Sequence, residues 1–417
     1  GANQGTIAII LIFHKIGRLF MQYRSTRGSK ENTLTAPQAI IQGLAQDGGL
    51  YVPVAFPQAN FKLEDLFKLS YKQIAAMVIS LFFDDFTKEQ ITTAVQSAYS
   101  EQWDDRSIVP IEKHDNRFYM ELFHGPTLAF KDIALQMLPQ LMTRAVQIEK
   151  IAKDIIILTA TSGDTGTASM RGFANQKGTD VIVFYPEGGV SPVQLKQMLS
   201  QRGNNLRAIA IKGNFDDAQT EVKKIFNDDS FKNRLNANGY QFSSANSMNI
   251  GRLVPQISYY LYTYGQLVRR QEIKLGDEVN FAVPTGNFGD ILAGYYAKKL
   301  GLPIKKLICA SNENNVLTDF FNNGVYDKRR KFHLTNAPAM DILVSSNLER
   351  LLFDLYDENN YEVASLMNQL TQRGHYQVSG EVFTKLQKNF AAGFATEEEV
   401  KSEIKRVYNY DRYVIDP

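Results

Sequence analysis

From Ile155 onward the chain repeats one local pattern: a short aliphatic, β-branched run, a loop rich in glycine and hydroxyl side chains, then a stretch with helical apolar spacing. Ile155-Ile156-Ile157-Leu158 is the first run, with a loop over 159–164 and a helical stretch over 165–175. A strand over 181–185 leads through Pro186-Glu187-Gly188-Gly189 into a helix from Pro192. The unit recurs as 206–211 with 216–226 and as 279–283 with 290–300, and 306–310 adds a further strand. Continuous apolar runs are buried on both faces, so strands alternating with helices at this spacing predict a mostly parallel sheet covered on both sides. The expected fold class is α/β. Such sheets bind ligands beyond the carboxyl ends of their strands, where strand order reverses, which points to the loops after Leu158 and Val283.

The flanking regions read differently. Residues 21 to about 110 form a mixed, largely helical unit, with a turn at Gln46-Asp47-Gly48-Gly49 before the short strand Leu50-Tyr51-Val52 and a helix over 71–83. After about Asn322 the chain is more polar and mainly helical. The apolar run over 7–13 falls far short of the roughly 20 residues that span a bilayer, and Lys15 and Arg18 follow it rather than precede it. Residues 1–20 therefore read as an upstream extension or a cloning remnant, with an organellar transit peptide as the lesser alternative. No membrane association is expected.

Charge and cysteine usage narrow the function classes. With 46 Lys and Arg against 44 Asp and Glu, the formal net charge is +2, too weak a field for a nucleic-acid partner. The single cysteine, Cys309, cannot form an internal disulfide, which fits a reducing, cytoplasmic setting. Five scattered histidines show no metal-ligand spacing, so no metal is expected.

Four segments carry chemistry. Pro284-Thr285-Gly286-Asn287-Phe288-Gly289-Asp290 joins a strand to a helix; its glycines permit positive φ and close approach, and the helix start offers unpaired N–H groups. That arrangement suits a phosphate, although a plain strand-to-helix turn uses glycine too. The run Thr159 to Thr167 packs hydroxyls, glycines and Asp164 at another helix start, an anion pocket fit for a carboxylate; the bland alternative is Ser162 or Asp164 acting as a helix cap. In the segment from Glu121 to Leu138, a helix starting at Thr127 would set Lys131 on a face with Thr127, Ala134, Leu135 and Leu138. A desolvated lysine has a lowered pKa and a neutral amine able to form a Schiff base; a lysine whose stem lies on the core while its charge reaches water is the alternative. Finally, Ser243 to Arg252 opens an apolar helix, and Arg252 with its Asn and Ser neighbours forms either a second phosphate cradle or a capped helix start.

Taken jointly, these segments resemble threonine synthase, a pyridoxal-phosphate enzyme family of the tryptophan synthase β fold type. The similarity spans Met21 to Pro417 and is carried by Tyr23-Arg24-Ser25-Thr26-Arg27-Gly28, Asp47-Gly48-Gly49-Leu50, Phe123 to Asp132, Thr159 to Gly166, Tyr185-Pro186, Ser191-Pro192, Asn246 to Arg252, Gly286 to Asp290 and Ala339-Met340-Asp341. The resemblance implies two lobes with mostly parallel, doubly wound sheets and an additional N-terminal mixed α/β domain. The corresponding divisions are 21–110, 111–270 with the lysine and substrate loops, and 271–417 with the phosphate loop and a helical insertion.

The resemblance also implies roles. Lys131 would be the catalytic residue, holding pyridoxal 5'-phosphate through a Schiff base, with Gly286, Asn287, Phe288, Gly289 and Asp290 around the cofactor phosphate and Asp164 near its ring. Ser162, Gly163 and Thr165 would take the substrate carboxylate. Asn246, Ser247 and Arg252 would take the substrate phosphate, with Asn249 as a further candidate. The implied reaction converts O-phospho-L-homoserine and water to L-threonine and phosphate, with the lobes closing on the substrate. Alternatives are a related pyridoxal-phosphate phospho-lyase or a silent homologue acting as a binding protein. The family continues past the position of Asp416-Pro417 with a segment reaching the pyridine nitrogen, so the cofactor site and the 271–417 lobe are expected to be incomplete on this sequence.

Overall fold

The computed structural model describes residues 20–416; the apolar run over 7–13 lies outside them. Strand β1 (Gln22–Ser25) pairs antiparallel with β2 (Leu34–Thr35) and with β3 (Tyr51–Pro53). Helices α1 (Ala36–Gln42), α2 (Tyr71–Phe82) and α3 (Lys88–Ala98) each open on a capping box, in which Thr35, Ser70 or Thr87 trades hydrogen bonds with a glutamine three residues on. Two otherwise orphaned donors are satisfied at each start, fixing where the helix begins. Ile74, Ala75, Val78, Ile79 and Phe82 then fall on one buried face of α2.

A hairpin of β4 (Ile111–His114) and β5 (Arg117–Met120) leads to α4 (Asp132–Ile148). The repeating unit follows: β6 (Asp154–Ala160), α5 (Asp164–Phe173), β7 (Thr179–Pro186), α6 (Pro192–Leu199), β8 (Leu206–Ile211), α7 (Phe215–Asn227), α8 (Asp229–Ala237) and β9 (Tyr240–Ser244). These four strands are parallel in the order β8-β7-β6-β9. The chain steps outward from β6 and then returns to its other side, so strand order reverses between β6 and β9. The loops after these two strands open on the same point. Helix α9 (Ile250–Arg269) leaves it almost wholly buried, packed on α2 and α4.

The last part holds β10 (Val279–Pro284), α10 (Gly289–Lys299), β11 (Ile304–Ser311), α11 (Val316–Asn323), β12 (Val325–Asp327), α12 (Leu348–Leu355), α13 (Asn360–Arg373), β13 (His375–Gln377), α14 (Gly380–Asn389), β14 (Phe390–Phe394) and α15 (Glu397–Asp411). Strands β10, β11 and β14 form a parallel sheet, and β12 pairs antiparallel with β13. The α/β class and the parallel sheets match expectation, but β14 does not, because the sequence reading ended its strands at 310. Phe390-Ala391-Ala392-Gly393-Phe394 has weak strand propensity; the register from Leu307↔Phe390 to Ser311↔Phe394 supplies the pairing that local sequence lacks. One apolar cluster runs from Tyr23 through both sheets to Phe390. No helix among the described residues is long and apolar enough to cross a membrane.

Helices α4 and α5 approach closely at Gly172, where an added Cβ would stand 2.0 Å from the backbone oxygen of Leu135. Pro139 leaves this carbonyl without its helical donor, but it is still backbone, and moving it means shifting one helix against the other. Gly172→Ala is expected to destabilise the fold by about 1–3 kcal/mol, read as a lower urea midpoint.

Candidate active site

The loop after β6 is organised by Thr161, whose buried Oγ1 accepts from the amides of Gly163 (2.9 Å) and Gly166 (2.8 Å). Neither Ser162 nor Asp164 caps the helix, as the bland alternative supposed. The cap position is Gly163, at φ 147°, where a side chain would be strained and a Cβ would sit 2.3 Å from Gln194 Oε1. A hydroxyl placed just ahead of a helix start is the signal that could have singled out Thr161.

Helix α4 starts at Asp132, five residues later than the spacing implied. Asp132 accepts from the amide (2.8 Å) and hydroxyl (2.7 Å) of Thr127, and Leu128 takes a left-handed φ of 62°, so 127–131 fold as turns. Thr127 therefore drops out of the expected stripe, but Lys131 is the N-cap of the helix in αR geometry and its carbonyl accepts from Leu135 N at 2.9 Å, so it does share a face with the buried Ala134, Leu135 and Leu138. The lysine ends the loop, and its Nζ donates to Asp164 Oδ1 at 2.7 Å. Burial lowers its pKa, Asp164 raises it, and Arg252 lowers it further; the net direction is down. Asp132, also buried, has its carboxyl pushed up to about 6 despite the Thr127 bonds.

Beyond β9, Asn249 is tied into the fold: it accepts from Gly251 N and donates to Ile40 O and Ser244 O, each at 2.9 Å. It caps α9, leaving Asn246 and Ser247 on the cleft. Arg252 is 2% exposed, donates from Nη1 to Ala245 O at 3.0 Å, and its Nε has no protein partner. Burial brings its pKa down to about 10, so it remains a cation at neutral pH.

Ahead of α10 the left-handed residue is Phe288, at φ 68°, rather than a glycine. Gly286 serves close approach instead, since a Cβ there would lie 2.9 Å from Ala339 O. The Asp290 carboxylate faces α9, accepting from Tyr259 OH at 2.5 Å and Tyr260 OH at 2.7 Å, and burial raises its pKa. What α10 presents to the cleft is its start, where the first amides have no carbonyl within the helix.

These pieces line one cleft. Lys131, Ser162, Thr165, Asn246, Ser247, Arg252 and residues 286–290 share its wall, with Phe130, Phe215, Gln256 and the 338–342 loop, none of them assigned a role beforehand. Asp164 and Gly163 stand off the wall, the first against Lys131 and the second against Gln194. Asp341 braces the 338–342 loop by accepting from the side-chain amides of Asn312 (2.7 Å) and Asn314 (3.0 Å). The donor set fits pyridoxal phosphate: an amine that can meet an aldehyde, a helix start for the phosphate, and an unpartnered guanidinium N–H nearby. Among the described residues no His, Cys, Asp and Glu cluster could hold a metal. Because Asp164 raises the lysine pKa, Asp164→Asn is expected to shift Lys131 titration to lower pH. The pH dependence of reductive methylation at that residue measures it.

Comparison with known proteins identifies the family. Residues 22–99 match the family model "Threonine synthase N terminus" and 111–371 match "Pyridoxal-phosphate dependent enzyme". Threonine synthase from Saccharomyces cerevisiae is 37% identical over 423 residues, covering 95% of this chain and 80% of that protein. Threonine synthase-like 1 from Macaca fascicularis is 40% identical over 91% of this chain but only 52% of its own length; the chain thus spans about half of that relative. A crystal structure of PLP-bound threonine synthase from Brucella melitensis superposes with a TM-score of 0.86 at 39% identity, covering 95% of this chain and 83% of that one. The chain belongs to the pyridoxal-phosphate-dependent enzymes and, among them, to the threonine synthase family.

Proposed function

We propose that this chain is a lyase that converts O-phospho-L-homoserine and water to L-threonine and phosphate. The observation that carries the reading is the Lys131 amine, largely buried and bonded to Asp164 at 2.7 Å, in a cleft that also holds a helix start and the buried guanidinium of Arg252. Two separate anion-binding ends around one amine suit a phosphorylated amino acid beside a phosphorylated cofactor.

When bound, pyridoxal phosphate supplies an aldehyde for an amino group and an electron sink for carbanions. The protein supplies position and proton handling. The start of α10 would hold the cofactor phosphate, and the Ser162 to Thr165 turn, shaped by Thr161, would take the substrate carboxylate. Arg252, with Asn246 and Ser247, takes the substrate phosphate and stabilises the charge that grows as it leaves Cγ. Lys131 Nζ removes the Cα and Cβ protons, and protons return to Cγ, the methyl carbon of the product once phosphate has left, and to Cα, while Asp164 stabilises the charged form of the lysine. Phe130, Phe215, Met340 and Ile342 give the cleft apolar walls that limit water until the step that adds it at Cβ.

Incubation with cofactor and phosphohomoserine is expected to yield threonine and phosphate in equal amounts. Phosphate without threonine would favour the phospho-lyase reading, and neither product would leave a binding protein. Lys131→Ala should lower the rate by at least about 10³-fold. Arg252→Lys keeps the charge but loses the planar fork, and should raise KM about 10- to 100-fold with a smaller change in kcat.

A further inference from the structure

Asn347 and Arg350 lie in none of the four segments, yet they join two of them. Arg350 is fully buried and makes no ion pair among the described residues. Its Nε donates to Tyr51 O (3.0 Å), its Nη1 to Asn347 Oδ1 (2.6 Å) and its Nη2 to Met248 O (2.7 Å). A guanidinium can only donate, so the Asn347 oxygen must face it and the Asn347 NH2 must point the other way. That NH2 donates to Ser247 Oγ at 3.1 Å and to Asn287 O at 3.0 Å, and the Asn347 backbone amide also reaches Asn287 O at 3.0 Å. By accepting at its oxygen, Ser247 keeps its own hydroxyl proton free for an anion in the cleft.

We infer that the Arg350–Asn347 pair couples the two anion-binding ends of the cleft, so that filling the α10 end orders the Ser247 end. Asn347 is the positioning residue and Arg350 fixes its orientation. Either segment moving alone would leave buried donors unpaired, so the two move together. The inference deepens the reading of the site given above, but it rests on cofactor binding and not on the identity of the substrate.

Hydrogen exchange on the whole chain, with and without pyridoxal phosphate, tests it. In the wild type the cofactor should protect peptides over 286–291 and over 245–252. In Asn347→Ala, protection should remain at 286–291 and be lost at 245–252, and the cofactor dissociation constant, read by its absorbance, should rise about 5-fold or more. Ser247→Ala removes the acceptor of the Asn347 NH2 while leaving Arg350 its own acceptor, and should lose the 245–252 protection alike should the alanine variant at 347 not fold. Equal protection of 245–252 in the folded variant, or none in the wild type, overturns the inference. Failure of the wild type to make threonine would sink the substrate reading and leave this result standing.

Discussion

An ammonium group withdrawn from water needs an anion at bonding distance, and the pairing of Lys131 with Asp164 is the constraint around which the cleft is built. The two residues come from the starts of different helices, α4 and α5, so the bond fixes one helix start against the other. A buried ion pair adds little net stability, because desolvation offsets most of the attraction. Its value here is positional. It holds the amine at one place in the cleft and sets how easily that amine gives up its proton.

The other charges follow the same logic of separation. Asp290 would repel a phosphate at the start of α10, but Tyr259 and Tyr260 draw its carboxylate toward α9 and satisfy it there. Arg252, in contrast, keeps an N–H with no protein partner while buried. Turning the acid away and leaving a buried guanidinium N–H without a protein partner gives the cleft a local positive character that composition, with its near-zero balance, does not reveal.

The sequence made visible what depends on local patterning. Strand β8 occupies 206–211 as expected, and the loops after β6 and β10 do face one cleft. What stayed hidden was set by contacts the local pattern does not carry. The start of α4 is displaced because Asp132 reaches back to Thr127, and the left-handed position before α10 falls to Phe288 although glycines flank it. Asn347 and Arg350 sit in an unremarkable stretch, and their partners lie 100 and 299 residues away in the chain. Spacing analysis sees neighbours along the chain, and these residues act on neighbours in space.

The pairing of β11 with β14 has a consequence for biogenesis. Synthesis proceeds at about 5–20 residues per second, so β11 emerges from the ribosome several seconds before the strand that will cover its edge. During that interval a row of apolar side chains and unpaired peptide groups is open to other nascent chains. Strand β6 waits as long for β9, so both parallel sheets should make the yield of this protein sensitive to chaperones and to growth temperature.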